Sequence, residues 1–138
     1  MVSYLALFAG VGQARADTAA GLWLTNKGKA KIKIESCGGD LCSKIVWLRD
    51  PNGKDGRPVK DHYNPDPTLK SRAVIGLATF SGLQKKSPGK WSGMIYNPED
   101  GKTYTVQLVL VEDGMIRVNG CASGTMECGQ REWHRVGR

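Results

Sequence analysis

The sequence predicts an all-β fold, a single antiparallel up-and-down barrel, because apolar and polar residues alternate along segments that tight turns connect. The alternation is clear in residues 30–35, 103–110 and 115–119, and it is typical of strands with one buried and one solvated face. A chain of 138 residues is short enough for one domain. A series of hairpins in so short a chain closes most simply into a barrel, since closure removes exposed strand edges.

The first residues, 1–16, have the features of a secretory signal peptide, which leaves 17–138 as a single barrel domain. Residues 5–12 form an apolar core too short to span a bilayer, and residues 14–16 (ARA) have the small-x-small pattern of a cleavage site. Residues 1–4 lack the usual Lys or Arg, so the true start lies upstream or the signal is atypical. The alternative interpretation is a buried apolar strand. No later apolar run is long enough for a transmembrane helix.

Turn signals separate the predicted strands. Residues 26–28 (NKG) follow the first strand, and residues 112–114 (EDG) lie between two later ones. Residues 97–101 (NPEDG) join a strand that begins near Lys90 to the next, where Pro98 presets the turn and Gly101 can adopt the left-handed conformation of a bulged hairpin.

One long connection, residues 49–72, interrupts this pattern and is predicted to lie across one mouth of the barrel. It contains four of the six prolines. Long connections in compact domains are usually functional or mobile. Asp66 followed by Pro67 predicts an N-cap, a first-turn proline and one short helical turn.

The same connection supplies the candidate ligand-binding residues Asp61, Asn64 and Arg72. Together they offer an acceptor, an amide and a permanent cation, a set that could orient the polar head group of a ligand. The alternative is that the Asp and Asn side chains bond to their own backbone and that the Arg is solvated or paired.

The four cysteines, Cys37, Cys42, Cys121 and Cys128, predict two disulfides in an exported protein. Zinc is the alternative, but the C-x4-C and C-x6-C spacings are looser than usual ligand pairs and neither histidine is near them. We predict the local pairings Cys37–Cys42 and Cys121–Cys128, with each pair facing across the end of a hairpin. The rival pairings would join the two hairpin ends. The predicted location is the periplasm or the exterior.

The formal net charge is +7, with a local cluster of lysines at positions 27, 29, 31 and 33. An exported protein is not expected to bind nucleic acid, so an anionic envelope surface is the more natural partner for these lysines. The alternative is a solvated face that the lysines keep soluble.

The Gly-x-Trp at residues 21–23, together with Arg135 near the other end of the chain, resembles the lipocalin-type signature. The resemblance implies that Trp23 lies across the bottom of the barrel and that the Arg135 guanidinium stacks on its indole. A planar, weakly hydrated guanidinium suits such a contact. The alternative is an ordinary core tryptophan and an unrelated surface arginine.

Several motifs in order resemble the bacterial family called domain of unknown function 2147. The matching segments are 37–46 (CGGDLCSKIV), 61–67 (DHYNPDP), 95–104 (IYNPEDGKTY), Gly120-Cys121 and Trp133-x-Arg135. Ser43 departs from the family's usual Gly, which bears on the turn geometry only. The resemblance implies an exported, lipocalin-like barrel and implies no activity.

The sequence contains no nucleophile–base set, P-loop, dinucleotide fingerprint or H-E-x-x-H motif. No enzyme activity, cofactor or metal is therefore predicted. The leading hypothesis is a module that binds a small apolar or amphipathic ligand in the barrel, with residues 49–72 as rim or lid. The second is an envelope interaction or structural protein with a solid core and a binding outer surface, and an enzyme ranks third. Barrels of this size are either filled or hold one small ligand, and sequence does not separate the two.

Overall fold

A computed structural model describes residues 18–138, and the predicted signal peptide (1–16) lies outside the described residues. Eight strands in this part of the chain form a closed antiparallel barrel in sequential order, which confirms the predicted fold class. The last strand pairs with the first to close it. The strands are β1 (Gly21–Leu24), β2 (Ala30–Cys37), β3 (Asp40–Leu48), β4 (Ser81–Ser87), β5 (Lys90–Asn97), β6 (Lys102–Glu112), β7 (Met115–Ala122) and β8 (Cys128–Gly137).

The predicted alternation places the core inside the barrel. Ile32 and Ile34 of β2 point inward. The even-numbered apolar residues of β6 and β7 also point inward. The largest fully buried apolar side chains lie towards one end, which carries the β2–β3, β4–β5 and β6–β7 turns and is called the closed end below. They are Trp23, Ile34, Leu83, Leu108 and Ile116. The opposite end, with the remaining connections, is called the open end.

Trp23 and Arg135 form the contact that their resemblance to the lipocalin-type signature implied. The guanidinium carbon of Arg135 lies 4.4 Å from the centroid of the Trp23 ring, and the indole Nε1 donates to the carbonyl of Ala19 at 2.9 Å. The Arg135 side chain is only 6% exposed. It donates to the carbonyls of Thr18 and Ala20 ahead of β1 and, through Nε at 2.8 Å, to that of Asp113 in the β6–β7 turn. One arginine thus joins three parts of the closed end.

This contact explains the glycine of the Gly-x-Trp. Gly21 has a φ of +144°, and a Cβ there would overlap the Arg135 guanidinium and lie 2.9 Å from the carbonyl oxygen of Gly137. Only a residue without a side chain fits between β1, the arginine and the end of β8.

Both predicted disulfides are present, but one has a different register from the prediction. Cys121 and Cys128 lie directly opposite each other on β7 and β8, with a Cα–Cα distance of 3.9 Å. Cys37 instead lies opposite Asp40, so its bond to Cys42 runs diagonally across β2 and β3 with a Cα–Cα distance of 5.9 Å.

The turn causes this difference. The cysteine spacing predicts a four-residue hairpin loop between Cys37 and Cys42, whereas the turn consists of Gly38 and Gly39 alone, with φ values of +65° and +93°. Two consecutive residues with positive φ form the tight turn that suits the twist of a hairpin. The pairing of β3 with β2 is therefore shifted by two residues from the prediction. A shift of two residues leaves each side chain on its predicted face, because side chains alternate with a period of two.

The connection between β3 and β4 is longer than predicted and covers residues 49–80. It contains the predicted helical turn, a 3₁₀ turn at Pro67–Leu69 whose N-cap Asp66 accepts from the Thr68 amide at 2.9 Å. Its last part completes the barrel wall, because β3 and β4 themselves pair at only two positions. There the amides of Ser43 and Ile45 donate to the carbonyls of Phe80 and Leu77, each at 2.9 Å.

We expect Trp23→Ala to lower the free energy of unfolding by about 3–5 kcal/mol, because it removes a fully buried indole and leaves a cavity under Arg135. Trp47→Ala is the matched control, since Trp47 is 38% exposed on the outer surface and its loss should cost about 1 kcal/mol or less. Urea denaturation followed by circular dichroism measures both. Equal losses for the two variants would contradict the assignment of Trp23 as the plug of the barrel.

Candidate functional site

The open end of the barrel contains a cavity of about 810 Å³. Apolar side chains of β2, β3 and β6–β8 form its inner wall, and the 49–80 connection with the β5–β6 and β7–β8 turns surrounds its mouth. The inner wall residues are Ile32, Ile45, Val106, Val118 and Trp133.

The barrel is filled at the closed end and open at the other. The inner wall residues are buried and belong to the same apolar cluster as Trp23, Leu83 and Leu108. Nearer the mouth, Leu48 and Ile95 are only partly buried. The accessible space therefore lies in the upper half, where a ligand would meet an apolar floor and a mixed rim.

Two facing glycines widen one side of the cavity. Gly120 on β7 pairs with Gly129 on β8, and both line the cavity. A Cβ on Gly120 would come within 2.8 Å of Cγ1 of Val106, so the barrel wall needs a glycine there. A Cβ on Gly129 would meet only a guanidinium nitrogen of Arg131, at 3.6 Å, which leaves room for a larger side chain.

The carboxylates around the mouth have partners of their own. Glu99 pairs with Lys29 at 3.5 Å, and Glu127 pairs with Lys102 at 3.3 Å. Asp100 accepts a short hydrogen bond from the hydroxyl of Tyr104 on the cavity wall. That bond, together with partial burial, raises the pKa of Tyr104 to about 12, so the phenol stays protonated at neutral pH.

The predicted ligand residues Asp61, Asn64 and Arg72 come together in the connection, joined by Tyr96 of β5. The Asp61 side chain is 0% exposed. Its carboxylate accepts from the hydroxyl of Tyr96 at 2.6 Å, Nδ2 of Asn64 at 2.9 Å and Nε of Arg72 at 2.9 Å. Burial alone raises the pKa of Asp61, but the three hydrogen bonds outweigh it and the pKa lies below its ordinary value.

This network fastens the connection to the barrel and differs from the expected head-group site. Neither Asp61, Asn64 nor Arg72 is among the residues that line the cavity. Asp61 uses its carboxylate on three internal partners, so direct contact with a ligand would require the connection to move. Their role in ligand binding stays a prediction, and their observed contacts are those of an anchor.

A second contact holds the connection at the mouth. Gly101 in the β5–β6 turn has the predicted left-handed backbone, with a φ of +71°, and a Cβ there would overlap the carbonyl of Tyr63. The turn and the connection touch through their backbones at this point. Tyr96, Gly101 and Tyr63 belong to quoted segments of the sequence, but their roles depend on contacts that no local pattern reveals.

The outer surface carries the basic residues of β2. Lys31 lies 4.8 Å from the centroid of the exposed Trp47 ring, and Lys33 pairs with Glu35 at 2.9 Å. Within residues 18–138, no three His, Cys, Asp or Glu side chains are placed to hold a metal ion. Among the described residues, no helix has the length and apolarity needed to cross a membrane.

Comparison with known proteins supports the fold. The family described as "Uncharacterized protein conserved in bacteria (DUF2147)" matches residues 21–135. A protein from the human pathogen Helicobacter pylori, described as belonging to the lipocalin family, has a similar structure with a TM-score of 0.72 and 23% sequence identity. The similarity covers 86% of this chain and 83% of that chain, and at this identity it shows the fold alone. No curated protein matches the sequence significantly.

We expect Asp61→Asn to loosen the 49–80 connection, because a neutral amide replaces the buried acceptor of Arg72 and Tyr96. The free energy of unfolding should fall by about 2 kcal/mol. Amide exchange should accelerate in the connection more than in β6 or β7. Asp50→Asn is the control, since Asp50 is exposed and its carboxylate, among residues 18–138, pairs only with the neighbouring Arg49. Exchange that rises equally in β6 would contradict a local anchor.

The loss of stability caused by Asp61→Asn should depend on pH. Because the folded pKa of Asp61 lies below the ordinary value of 3.8, its ionised form stabilises the protein above that pH. This contribution declines as the pH falls through the folded pKa. The stability difference between the wild type and Asp61→Asn should therefore be full at pH 7 and shrink below about pH 4.

Proposed function

The chain belongs to the DUF2147 family of bacterial proteins, and we propose that it is an exported binding protein that holds a small amphipathic ligand in the open half of its barrel. The observation that carries this proposal is the cavity, whose apolar floor lies beneath a polar rim. Its volume of about 810 Å³ falls in the usual range for small-molecule sites. The proposal assigns no catalysis to the chain.

The filled closed end limits the size of the ligand. Because Trp23, Leu83 and Leu108 occupy the lower barrel, a bound molecule would lie in the upper half with its apolar part on Trp133 and Val118. Burying about 100 Å² of apolar ligand surface there would contribute about 2.5 kcal/mol. Association costs several kcal/mol, so polar contacts at the rim are needed for useful affinity.

Two disulfides support export to the periplasm or the exterior. Cys37–Cys42 and Cys121–Cys128 each close the end of a hairpin. Disulfides of this kind persist in oxidising compartments and are rare in a reducing cytosol. The observation supports the location without depending on residues 1–16.

We expect Gly129→Trp to block the cavity, since its side chain would project into the mouth from a position that has room for a Cβ. Titration with the neutral dye N-phenyl-1-naphthylamine should give saturable fluorescence with the wild type and roughly tenfold weaker binding with this variant, a loss of about 1.4 kcal/mol. Native mass spectrometry of protein purified from the bacterial envelope should show a bound mass that the variant lacks.

Gln130→Trp is the matched control, because residue 130 is the next residue along β8 and faces outward. It should bind the dye as the wild type does. Equal loss in both variants, or no saturable binding to the wild type, would contradict ligand binding in the cavity.

A second candidate function uses the outer surface of β2 and β3, which would bind an anionic lipid surface. Lys33 and Lys44 lie directly opposite each other, an arrangement that costs some stability through like-charge repulsion. Beside them, Lys31 lies over Trp47, and Val46 is also exposed. Cations around exposed aromatic and aliphatic side chains suit the interface of an anionic membrane.

We expect cosedimentation with phosphatidylglycerol vesicles and not with phosphatidylcholine vesicles at low salt. The double variant Lys31→Glu with Lys44→Glu should abolish this binding. Lys54→Glu with Lys86→Glu makes the same charge change away from this surface and should largely retain it. Equal loss in the two double variants would indicate a dependence on net charge and would contradict a defined docking surface.

A further inference from the structure

We propose that the ligand is an anionic amphiphile, an apolar chain that ends in a carboxylate or a comparable small anion, and that Arg131 binds this head group. The inference rests on the proposed function of the cavity and names the chemical class of its ligand. It follows from where Arg131 points and from which charges around it are already paired.

The register of β8 places Arg131 on the inner face of the barrel. It lies directly opposite Val118 of β7, an inner wall residue, and between Gly129 and Trp133, which also line the cavity. The Arg131 side chain is exposed at the open end, above the apolar floor. A head group at Arg131 would leave the apolar part of the ligand against Trp133.

The guanidinium of Arg131 is available. Among residues 18–138, its only hydrogen bond is from Nη1 to the carbonyl of the neighbouring Gln130, at 3.1 Å, and none of the described carboxylates forms an ion pair with it. Arg135 lies on the same strand and the same face, but its guanidinium is not available. Its side chain is buried and donates to three carbonyls at the closed end. The two arginines thus differ in their free donors.

The acidic groups near the mouth do not compete for this cation. Glu99 pairs with Lys29, Glu127 with Lys102 and Asp50 with Arg49. Asp100 keeps its charge and accepts from the hydroxyl of Tyr104. Lys60 also lines the cavity and forms no ion pair with the described carboxylates. The unpaired charges that face the cavity are therefore mainly positive.

The chemistry of arginine suits this task. A guanidinium is always charged and offers parallel N–H donors that match the two oxygens of a carboxylate or phosphate. Hydrogen bonds to charged groups contribute more than neutral ones. A neutral or cationic head group would not form these charge-assisted hydrogen bonds with the guanidinium.

Competition with N-phenyl-1-naphthylamine tests the inference with four ligands of one chain length: decanoate, decyl phosphate, decanol and decylamine. For the wild type we expect the two anions to displace the dye at roughly tenfold lower concentration than decanol, with decylamine weakest. Arg131→Gln should remove the preference for the anions while leaving decanol unchanged. Arg131→Lys should restore part of it. The comparison of decanoate with decyl phosphate distinguishes the two kinds of anion.

Arg57→Gln is the control, because it removes the same charge from an exposed position outside the cavity and should leave all four affinities unchanged. Thermal unfolding confirms that each variant is folded. Equal displacement by decanoate and decanol, or a loss of both in Arg131→Gln, would overturn the role of Arg131 while ligand binding in the cavity stands. Failure of the dye and all four ligands to bind the wild type would overturn the proposed function and this inference together.

Discussion

The barrel depends on the contact between Trp23 and Arg135, because this contact closes the sheet where its first and last strands meet. The indole fills the closed end, and the guanidinium lies on it at 4.4 Å while donating to carbonyls before β1 and in the β6–β7 turn. A buried guanidinium is tolerated when its donors are satisfied. Gly21 makes the arrangement possible, since any side chain there would occupy the space of the arginine.

Filling one end creates the conditions for a site at the other. The large side chains Trp23, Leu83 and Leu108 provide the stability that a small barrel requires, so the upper half can do without close packing. Small residues at Gly120 and Gly129 keep that half open. The inner face of β8 reflects this division. Arg135 donates to carbonyls at the closed end, whereas Arg131, four residues closer to the mouth, makes one hydrogen bond through its guanidinium among the described residues.

The long connection shows how a polar network can serve structure in a position that suggests function. Asp61 is buried, and its carboxylate accepts from three donors. These hydrogen bonds offset the desolvation cost of burying the charge. The carboxylate orders the connection that forms the rim of the cavity. Its effect on ligand binding would therefore act through the shape of the mouth, whereas Arg131 would touch the ligand itself.

Local patterns in the sequence were sufficient for the strands, the left-handed glycine at Gly101, the 3₁₀ turn after Asp66 and both disulfide pairings, because alternation and turn chemistry are properties of neighbouring residues. The resemblance to a known signature added the contact of Trp23 with Arg135. Three features required the tertiary structure: the diagonal register of Cys37–Cys42, the internal pairing of Asp61 and the open upper half of the barrel. Each depends on which groups meet across the barrel, and residues far apart in sequence determine whether a side chain is paired or free and whether a space is filled.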